Sequence, residues 1–313
     1  MEIRPMLATA TTRRSFDPRW VLERKLDGIR AVAERSGPRV RLWSRTGKRL
    51  EDGYPELVAA LAAQPVPEFT VDGEIVALDG RGVPSFALLQ QRMGLHDPRR
   101  AVATGVTVTY FLFDVVALMG HDTTGLPLTD RKELLREAVT FGDPLRYTDH
   151  ETADGPVPLA EVCAAGWEGL IAKRADSRYV PRRSSDWLKL KCEAGQELVV
   201  GGFTEPSGSR VGFGALLVGY REAGRLRYAG KVGTGFDTRT LLALREVLDA
   251  LERPDSPFDE PVPERRPHWV EPRLVAQVGF TEWTRDGRLR APRFLGLRQD
   301  RPAGEVVREY PSE

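Results

Sequence analysis

The sequence predicts an α+β protein with two domains. Runs rich in β-branched and aromatic residues, such as FTVDGEIVALD (69–79) and VTVTYFLFDVVAL (106–118), outnumber stretches with helical spacing. A length of 313 residues is enough for two domains, and 41% hydrophobic with 29% charged residues is typical of a folded chain. The pattern changes at Glu-Ala-Gly-Gln (193–196), so we expect domains at 1–193 and 194–313.

In the first domain we expect antiparallel sheets with flanking helices. Asp27-Gly28 is a turn pair with a strong hairpin preference, so the strands on either side of it are expected to pair. A helix beginning near Thr129 would use that residue as its cap. The predicted strands are 20–26, 29–35, 39–44, 69–79, 106–118, 168–174 and 186–192, and the predicted helices are 54–64, 85–92 and 129–138.

In the second domain short strands surround a single helix. Strands are predicted at 197–204, 213–221, 226–232 and within 273–284, with a helix at 238–252 and a proline- and charge-rich connecting loop at 253–272. Five short strands with one interposed helix are typical of a small β-barrel of the oligonucleotide-binding (OB) type.

The composition excludes several classes of protein. A net charge of +1 gives no overall basic excess, so any nucleic-acid surface must come from local charge segregation. Two cysteines, Cys163 and Cys192, cannot build a four-cysteine zinc site, and we expect them to be reduced thiols in a cytoplasmic protein. No signal peptide and no membrane-spanning run is apparent, so we expect a soluble protein without a membrane partner.

Lys25, in the string ERKLDGIR (23–30), is the strongest candidate nucleophile. Only seven of the 46 basic residues are lysines, and unlike arginine a lysine can lose its proton and attack an electrophile. The neighbouring Arg24 and Arg30 would favour the neutral amine. Alternation along the strand places Glu23 and Lys25 on one face, with Leu22, Arg24 and Leu26 on the other. The alternative is a surface hairpin with ordinary charges.

Polar residues within the other strands also suggest a phosphate site. Lys189 and Lys191 share one face of DWLKLKC (186–192) and would repel each other unless an anion lies between them; a solvated edge strand is the alternative. Asp72 and Glu74 share a face of a buried strand, and Glu168 begins another. Buried carboxylates need a metal or a cation, so magnesium would satisfy them, as would an arginine partner, especially for Asp72.

Phe113 and Asp114 lie in the middle of YFLFDVVAL (110–118), where alternation predicts opposite faces for them. An aromatic residue in a strand usually belongs to the core. Base stacking by Phe113 becomes the better interpretation only if a nucleotide pocket is present.

In this order the segments resemble the motifs of the covalent nucleotidyltransferases, most closely ATP-dependent DNA ligases of the bacterial end-joining type. KLDGIR (25–30) resembles the nucleotide-attachment motif of that family. The later motifs resemble SRTGK (44–48), VDGEI (71–75), YFLFD (110–114), EGLIAKR (168–174), WLKLK (187–191) and FLGLRQDRP (294–302). The resemblance covers nearly the whole chain and implies a nucleotidyltransferase (adenylation) domain followed by an OB-fold domain.

The resemblance also implies a reaction and a set of site residues. Lys25 would attack the α-phosphate of ATP, and the resulting lysyl-AMP would activate the 5′-phosphate at a nick in duplex DNA, with Mg²⁺ or Mn²⁺ as the metal. Glu23 would contact the adenine, and Phe113 would contact the face of the adenine ring. Arg30 and Arg45 would lie on the ribose and phosphate side. Glu74 would hold the ribose or a metal, Glu168 the metal, and Lys189 and Lys191 the α-phosphate. Arg298 and Arg301 of the second domain would orient pyrophosphate, which requires that domain to close over ATP.

Other assignments are less specific. Arg182 or Arg183 would reach the nucleotide, Lys173 and Lys231 are candidates for phosphate contacts, and Lys132 is interpreted as a helix-surface residue. The four histidines show no metal-ligand spacing. Nicked or broken DNA is the expected partner of a monomer, with a DNA-end-binding repair protein as a further candidate. The alternatives are an RNA ligase, a GTP-dependent capping guanylyltransferase and a non-enzymatic DNA-binding protein.

Overall fold

A computed structural model of the protein describes residues 4–192, 194–284 and 286–309. The chain divides into two compact units, the first ending at Cys192 and the second at Glu309. No helix within these ranges is long and apolar enough to cross a membrane.

The first unit is mainly β-structure. Its helices are α1 (Pro55–Ala62), α2 (Phe86–Leu89), α3 (Pro98–Ala103), α4 (Leu128–Ala138) and α5 (Leu159–Ala164). Its strands are β1 (Leu7–Ala10), β2 (Ser15–Phe16), β3 (Trp20–Arg24), β4 (Ile29–Ser36), β5 (Arg39–Ser44), β6 (Glu68–Ala77), β7 (Val108–Leu118), β8 (His121–Asp122), β9 (Leu145–Tyr147), β10 (His150–Thr152), β11 (Gly155–Pro156), β12 (Gly169–Arg174) and β13 (Arg183–Lys191).

Two larger sheets organise this unit. One has five strands in the order β1-β13-β12-β3-β10, and the other has six, with β5-β4-β6-β7-β8 in order and β9 paired with β7. All pairs are antiparallel except β1 with β13 and β7 with β9. A cluster of buried side chains from both sheets, including Val21, Phe113 and Trp187, joins the sheets. Leu128 of α4 and Tyr179 complete this cluster.

The expected hairpin at Asp27-Gly28 is wrong. Strand β3 pairs with β10 and β12, whereas β4 pairs with β5 and β6, so the chain passes from one sheet to the other at this point. A Cβ atom on Gly28 would lie 2.1 Å from the carbonyl oxygen of Ile75. Glycine is therefore needed for close approach to β6, and not for a two-residue turn.

Helix α4 begins differently from the prediction. Its N-cap is Pro127, without a side-chain capping hydrogen bond. Thr129 lies inside the first turn, where its backbone N–H donates to the carbonyl of Ala175. Arg131 and Lys132 of this helix are both buried, with 0% and 1% of their surface exposed.

The two cysteines form a disulfide, which corrects the expectation of reduced thiols. Cys163 of α5 and Cys192, just after β13, have Cα atoms 5.4 Å apart. That distance suits a disulfide. The backbone N–H of Cys192 donates to the carbonyl of Glu168, which follows α5 closely, and this contact holds the end of β13 near the helix. Two cysteines separated by 29 positions carry no sequence signal for such proximity.

The second unit has the OB fold. Its elements are β14 (Ala194–Thr204), β15 (Leu216–Glu222), β16 (Arg225–Val232), α6 (Thr238–Asp249), β17 (Glu252–Arg253), β18 (Pro267–Val270), β19 (Val275–Phe280), β20 (Glu282–Trp283), β21 (Leu289–Arg290) and β22 (Arg293–Leu297). The long β14 pairs with β15, β18 and β19 around a core that contains Val200, Phe203 and Leu244. The expected loop at 253–272 is wrong in part, because β17 and β18 occupy its two ends.

Candidate active site

Lys25, the predicted nucleophile, lies on one face of the five-stranded sheet, which we call the site face. Cα partners across β3, β12 and β13 are Glu23 with Ile171 and Ile171 with Lys189. In the next row the backbone N–H of Lys25 donates to the carbonyl of Gly169, which lies opposite Lys191. The sheet therefore places Lys25, Glu23 and both lysines of β13 side by side, as alternation predicts.

The opposite face of β3 confirms that alternation. Leu22, Arg24 and Leu26 line a cavity of about 620 Å³, away from Lys25. The guanidinium of Arg24 stacks over the ring of Trp167 at 4.4 Å.

Lys25 has anionic surroundings, so the prediction that Arg24 and Arg30 favour its neutral amine is wrong. Its ammonium forms an ion pair with Glu168, and both side chains are half-buried. Burial lowers the pKa of the Lys25 amine, but the Glu168 and Asp27 carboxylates outweigh burial and raise the pKa above its usual value. These carboxylates therefore favour the ammonium form of Lys25.

Glu23 is buried between two lysines. One carboxylate oxygen lies 2.7 Å from the Nζ of Lys132, and the other lies 2.6 Å from the Nζ of Lys173. Burial raises the pKa of Glu23, but the two ammonium groups outweigh burial and lower the pKa below its usual value. The carboxylate is therefore held ionised although only 3% of the residue is exposed.

Lys132 was not recognised from the sequence and is not a helix-surface residue. Its ammonium contacts Glu23 and also donates to the carbonyl of Thr148 at 3.0 Å. The sequence contains a signal for this burial, because Leu128, Lys132 and Leu135 recur at helical spacing on the buried side of α4.

Lys173 does not lie where a phosphate contact requires. It is 2% exposed, and its Nζ lies 4.3 Å from the ring centre of Phe113 and 4.1 Å from that of Trp187. Burial lowers the pKa of the Lys173 amine to about 8, with Lys132 adding to the effect and Glu23 opposing it. Lys173 thus belongs to a buried cluster with Glu23, Phe113 and Trp187.

A β-bulge places Phe113 in this cluster. Asp72 pairs with Asp114 and Gly73 with Leu112, which leaves Phe113 as the extra residue of β7. The expected strict alternation of Phe113 and Asp114 is therefore interrupted. The Phe113 ring packs edge-on against Trp187, with centroids 6.1 Å apart, and the guanidinium of Arg30 lies 4.5 Å from its centre.

Buried carboxylates in the six-stranded sheet are paired with arginine. Both oxygens of Asp72 accept from Arg30 at 2.6 Å, and one also accepts from the hydroxyl of Tyr179. Asp114 accepts from Arg131 at 2.7 and 2.9 Å. The arginine interpretation of Asp72 is confirmed, and the ion pair with Asp72 fixes the position of Arg30 beside Phe113.

Lys189 and Lys191 are half-buried on an interior strand, because β13 lies between β1 and β12. The alternative of a solvated edge strand is therefore wrong. A Cβ atom on Gly169, opposite Lys191, would lie 2.0 Å from the carbonyl oxygen of Leu190. The absent side chain lets β12 and β13 approach closely beside Lys25.

The remaining predicted residues lie around this face or in the second unit. Glu74 is half-buried on β6 and lies near enough to Lys25 to raise its pKa, and Arg45 is half-buried just after β5. Arg183 is exposed at the opposite end of β13 from Lys191 and donates to the carbonyl of Ala8.

In the second unit Arg298 forms an ion pair with Asp300, and Arg301 donates to the carbonyl of Glu305. The contribution of these arginines to nucleotide binding stays a prediction.

Glu168 and Glu74 supply carboxylate oxygens suited to a divalent cation. Both act on Lys25 electrostatically, so both carboxylates lie close to the predicted nucleophile. Magnesium is commonly held by one or two carboxylates plus substrate phosphates. Within the described part of the chain no group of three His, Cys, Asp or Glu side chains could hold a metal alone. Glu168 and Glu74 are therefore candidate ligands for a cation that a phosphate also binds.

Family models match both parts of the chain. The model of the ATP dependent DNA ligase domain matches residues 5–191, and that of the ATP dependent DNA ligase C terminal region matches residues 209–301.

Individual relatives agree with these family models. The multifunctional non-homologous end joining protein LigD of Pseudomonas aeruginosa is 40% identical over 302 residues, covering 94% of this chain and 35% of the relative. The LigD protein of Mycobacterium tuberculosis H37Rv is 40% identical over 313 residues, covering 97% of this chain and 40% of the relative. The chain thus spans 35 to 40% of the length of these two relatives.

Among solved structures, mycobacterial DNA ligase D complexed with ATP and MES matches 98% of this chain and 98% of its own, with 38% identity and a TM-score of 0.68. This match and the sequence matches confirm the resemblance and the predicted fold class. Since a family model covers residues 5–191 and a second one the region 209–301, the chain belongs to the ATP-dependent DNA ligase family.

Proposed function

We propose that the chain seals nicks in duplex DNA with ATP, through a lysyl-AMP on Lys25, in end-joining repair. The observation that carries this proposal is the position of Lys25 on the site face. Its amine is paired with Glu168 and has Glu23 and the lysines of β13 in the neighbouring positions. This arrangement combines a nucleophile, a metal-binding carboxylate and two cations for a phosphate, as covalent nucleotidyl transfer requires.

In the first step the Lys25 nitrogen forms a bond to the α-phosphorus of ATP, and the bond from that phosphorus to pyrophosphate breaks. Lys25 must first lose a proton, which its raised pKa opposes. A cation that draws the Glu168 carboxylate away from the amine would lower the pKa of Lys25 and favour attack. Lys189 and Lys191 are proposed to hold the α-phosphate, where they would stabilise the charge that develops on its oxygens.

The nucleoside is proposed to be held by Glu23, Phe113, Arg30 and Glu74. Glu23 would accept from the exocyclic amine of adenine, and Phe113 would stack on the base. Arg30, fixed by Asp72, would donate to the ribose. Arg45 and Arg183 are proposed to lie on the phosphate side, and Arg298 and Arg301 to orient pyrophosphate.

Mg²⁺ or Mn²⁺ is proposed to bind at Glu168 and Glu74 together with the phosphates. A bound divalent cation would neutralise phosphate charge and compete with Lys25 for the Glu168 carboxylate. Binding of the cation at the two carboxylates would then lower the pKa of the Lys25 amine.

In the later steps AMP moves to DNA and leaves. An oxygen of the 5′-phosphate attacks the AMP phosphorus, the nitrogen–phosphorus bond breaks, and Lys25 regains its proton. The 3′-hydroxyl oxygen then attacks the 5′-phosphate phosphorus and loses its proton to solvent. The bond from that phosphorus to the AMP phosphate breaks, so that the phosphodiester forms and AMP leaves. Lys25 is thereby restored for another ATP.

We also propose the biological setting from the relatives. Their names include non-homologous end joining, so broken duplex DNA is the proposed partner, with a DNA-end-binding protein as a second. A monomer in the cytoplasm suits a DNA substrate in a bacterial cell.

The test uses the protein and its Lys25→Ala variant with ATP, a divalent cation and a labelled, singly nicked DNA duplex. We expect the wild type alone to join the strand. Addition of pre-adenylated nicked DNA provides the control, because its sealing bypasses the lysyl-AMP step and should persist in a folded variant. Joining by Lys25→Ala from ATP and unmodified DNA would contradict the proposal.

A further inference from the structure

The two lysines that hold Glu23 differ in how firmly they are fixed. Lys132 is 1% exposed, and its ammonium is shared between the Glu23 carboxylate at 2.7 Å and the Thr148 carbonyl at 3.0 Å. Its ammonium also lies 4.8 Å from the ring centre of Tyr147. Lys132 is thus fixed by an anion on β3 and by a backbone carbonyl and an aromatic ring from two consecutive residues at the end of β9.

Lys173 has a different set of neighbours. Apart from Glu23, the contacts of its Nζ among the described residues are the rings of Phe113 and Trp187. The ring of Phe113 is also the proposed stacking surface for the base. The guanidinium of Arg30 lies 4.5 Å from the centre of the same ring but is held by Asp72. A ligand on that ring would therefore displace or reorient Lys173, whereas Lys132 could keep both of its oxygen contacts.

Nucleobases differ in the groups that a fixed carboxylate can recognise. Adenine presents an exocyclic N–H donor at its 6-position, whereas guanine presents a carbonyl acceptor there. An ionised carboxylate only accepts hydrogen bonds, so it attracts the adenine amine and repels the guanine carbonyl. A protonated or rotated Glu23 would lose that distinction, because a carboxylic acid can also donate.

We propose that Lys132 is a positioning residue for nucleobase selection, which holds Glu23 as an oriented, ionised acceptor and thereby favours ATP over GTP. The proposal rests on the proposed contact of Glu23 with the base. Lys132 would act only through Glu23, because its own ammonium is already occupied by the Glu23 carboxylate and the Thr148 carbonyl. Lys173 would be the exchangeable partner, which yields its place to the incoming base.

The experiment measures formation of the lysyl-nucleotide from labelled ATP and from labelled GTP. In Lys132→Met we expect the ratio of kcat/KM for ATP to that for GTP to fall about tenfold or more, mainly through a raised KM for ATP. Lys132→Arg keeps the positive charge and should restore part of the ratio. A purely structural role would lower both nucleotide rates together and leave the ratio unchanged.

A matched control comes from the neighbouring position on α4. Arg131 is equally buried but is paired with Asp114, so Arg131→Lys should leave the ATP to GTP ratio unchanged while lowering stability. Glu23→Gln should reduce the ratio by itself. The double variant Lys132→Met with Glu23→Gln should show no further reduction, because Lys132 acts through Glu23.

The outcomes separate this inference from the proposed function. If the wild type forms no lysyl-AMP, the proposed function fails. If it does, and Lys132→Met retains the wild-type ratio, the inference is overturned. If Lys132→Met does not fold, Lys132→Arg and Glu23→Gln decide. Unchanged ATP to GTP ratios in both variants overturn the inference. A reduced ratio in Glu23→Gln with a smaller reduction in Lys132→Arg supports the inference.

Discussion

At the scale of single residues, the charge state of Lys25 decides whether it can react. The amine is buried enough to lose its proton more easily, yet Glu168 and Asp27 raise its pKa. The proposed nucleophile would thus stay protonated until its carboxylate partner contacts another cation. Such a contact would protect the amine from reaction with other electrophiles.

Glu168→Gln should lower the pKa of Lys25, because removal of the negative charge leaves burial as the main effect. A small amine-reactive label, read out by mass spectrometry across a pH series, measures this without ATP or metal. We expect the labelling midpoint of Lys25 to move to lower pH in the variant. Lys231, which is exposed and paired with Glu264, is the internal control in the same sample. A Lys25 midpoint that stays in place would contradict the electrostatic account.

Sequence reasoning identified some residues of the site and missed others for physical reasons. Alternation along β3 and β13 is local, so it correctly placed Glu23, Lys25, Lys189 and Lys191 on one face. The partner of Glu23 on α4 is 109 positions away, and strand periodicity contains no information about such a distance. Lys132 was therefore misassigned although its own helical spacing indicated burial.

At the scale of elements, the segment between β3 and β4 shows how a turn pair can mislead. Asp-Gly normally favours a hairpin, but here the chain changes sheets. Glycine satisfies both situations, since the absence of a Cβ permits a turn and also a close approach. Long-range packing against β6, rather than local preference, determines the path of the chain.

Gly28→Ala should destabilise the protein by at least about 3 kcal/mol, because its Cβ would lie 2.1 Å from the backbone oxygen of Ile75. Urea unfolding followed by circular dichroism measures the free energy of unfolding. Gly80 is the matched control, because a Cβ there meets nothing within 4 Å. Gly80→Ala should change stability by less than about 0.5 kcal/mol. Equal stability of the two variants would refute the close-approach explanation.

At the scale of the whole molecule, local charge segregation would have to provide the proposed affinity for DNA. The net charge is only +1, and acidic residues nearly equal basic ones in number. Binding of a polyanion by local basic faces still releases counterions, so it depends steeply on salt. The chemistry at Lys25 is partly buried and should be less exposed to screening.

Nick sealing should therefore decrease by at least about tenfold between 50 and 200 mM salt, whereas formation of lysyl-AMP should change much less. Both steps can be followed on gels from the same reactions, at subsaturating DNA. The lysyl-AMP measurement without DNA is the control for general effects of salt on the enzyme. A parallel decline of both steps would argue against DNA binding as the salt-sensitive event.

The chain divides into two units after Cys192, close to the point where the predicted strand pattern changes. The disulfide was not predictable, because proximity of α5 to the end of β13 arises only from tertiary packing. The strand β18, at Pro267–Val270, was also missed. Its surroundings are rich in proline and charge, which are typical of loops.

The bond between Cys163 and Cys192 encloses both β12 and β13 in a covalent ring. Glu168, Lys173, Lys189 and Lys191 all lie between its two ends. A single proteolytic cut anywhere within this ring would leave the two fragments of the oxidised chain tethered to each other. The strand that carries Lys189 and Lys191 would thus stay with the rest of the molecule after backbone cleavage, until a reductant releases it.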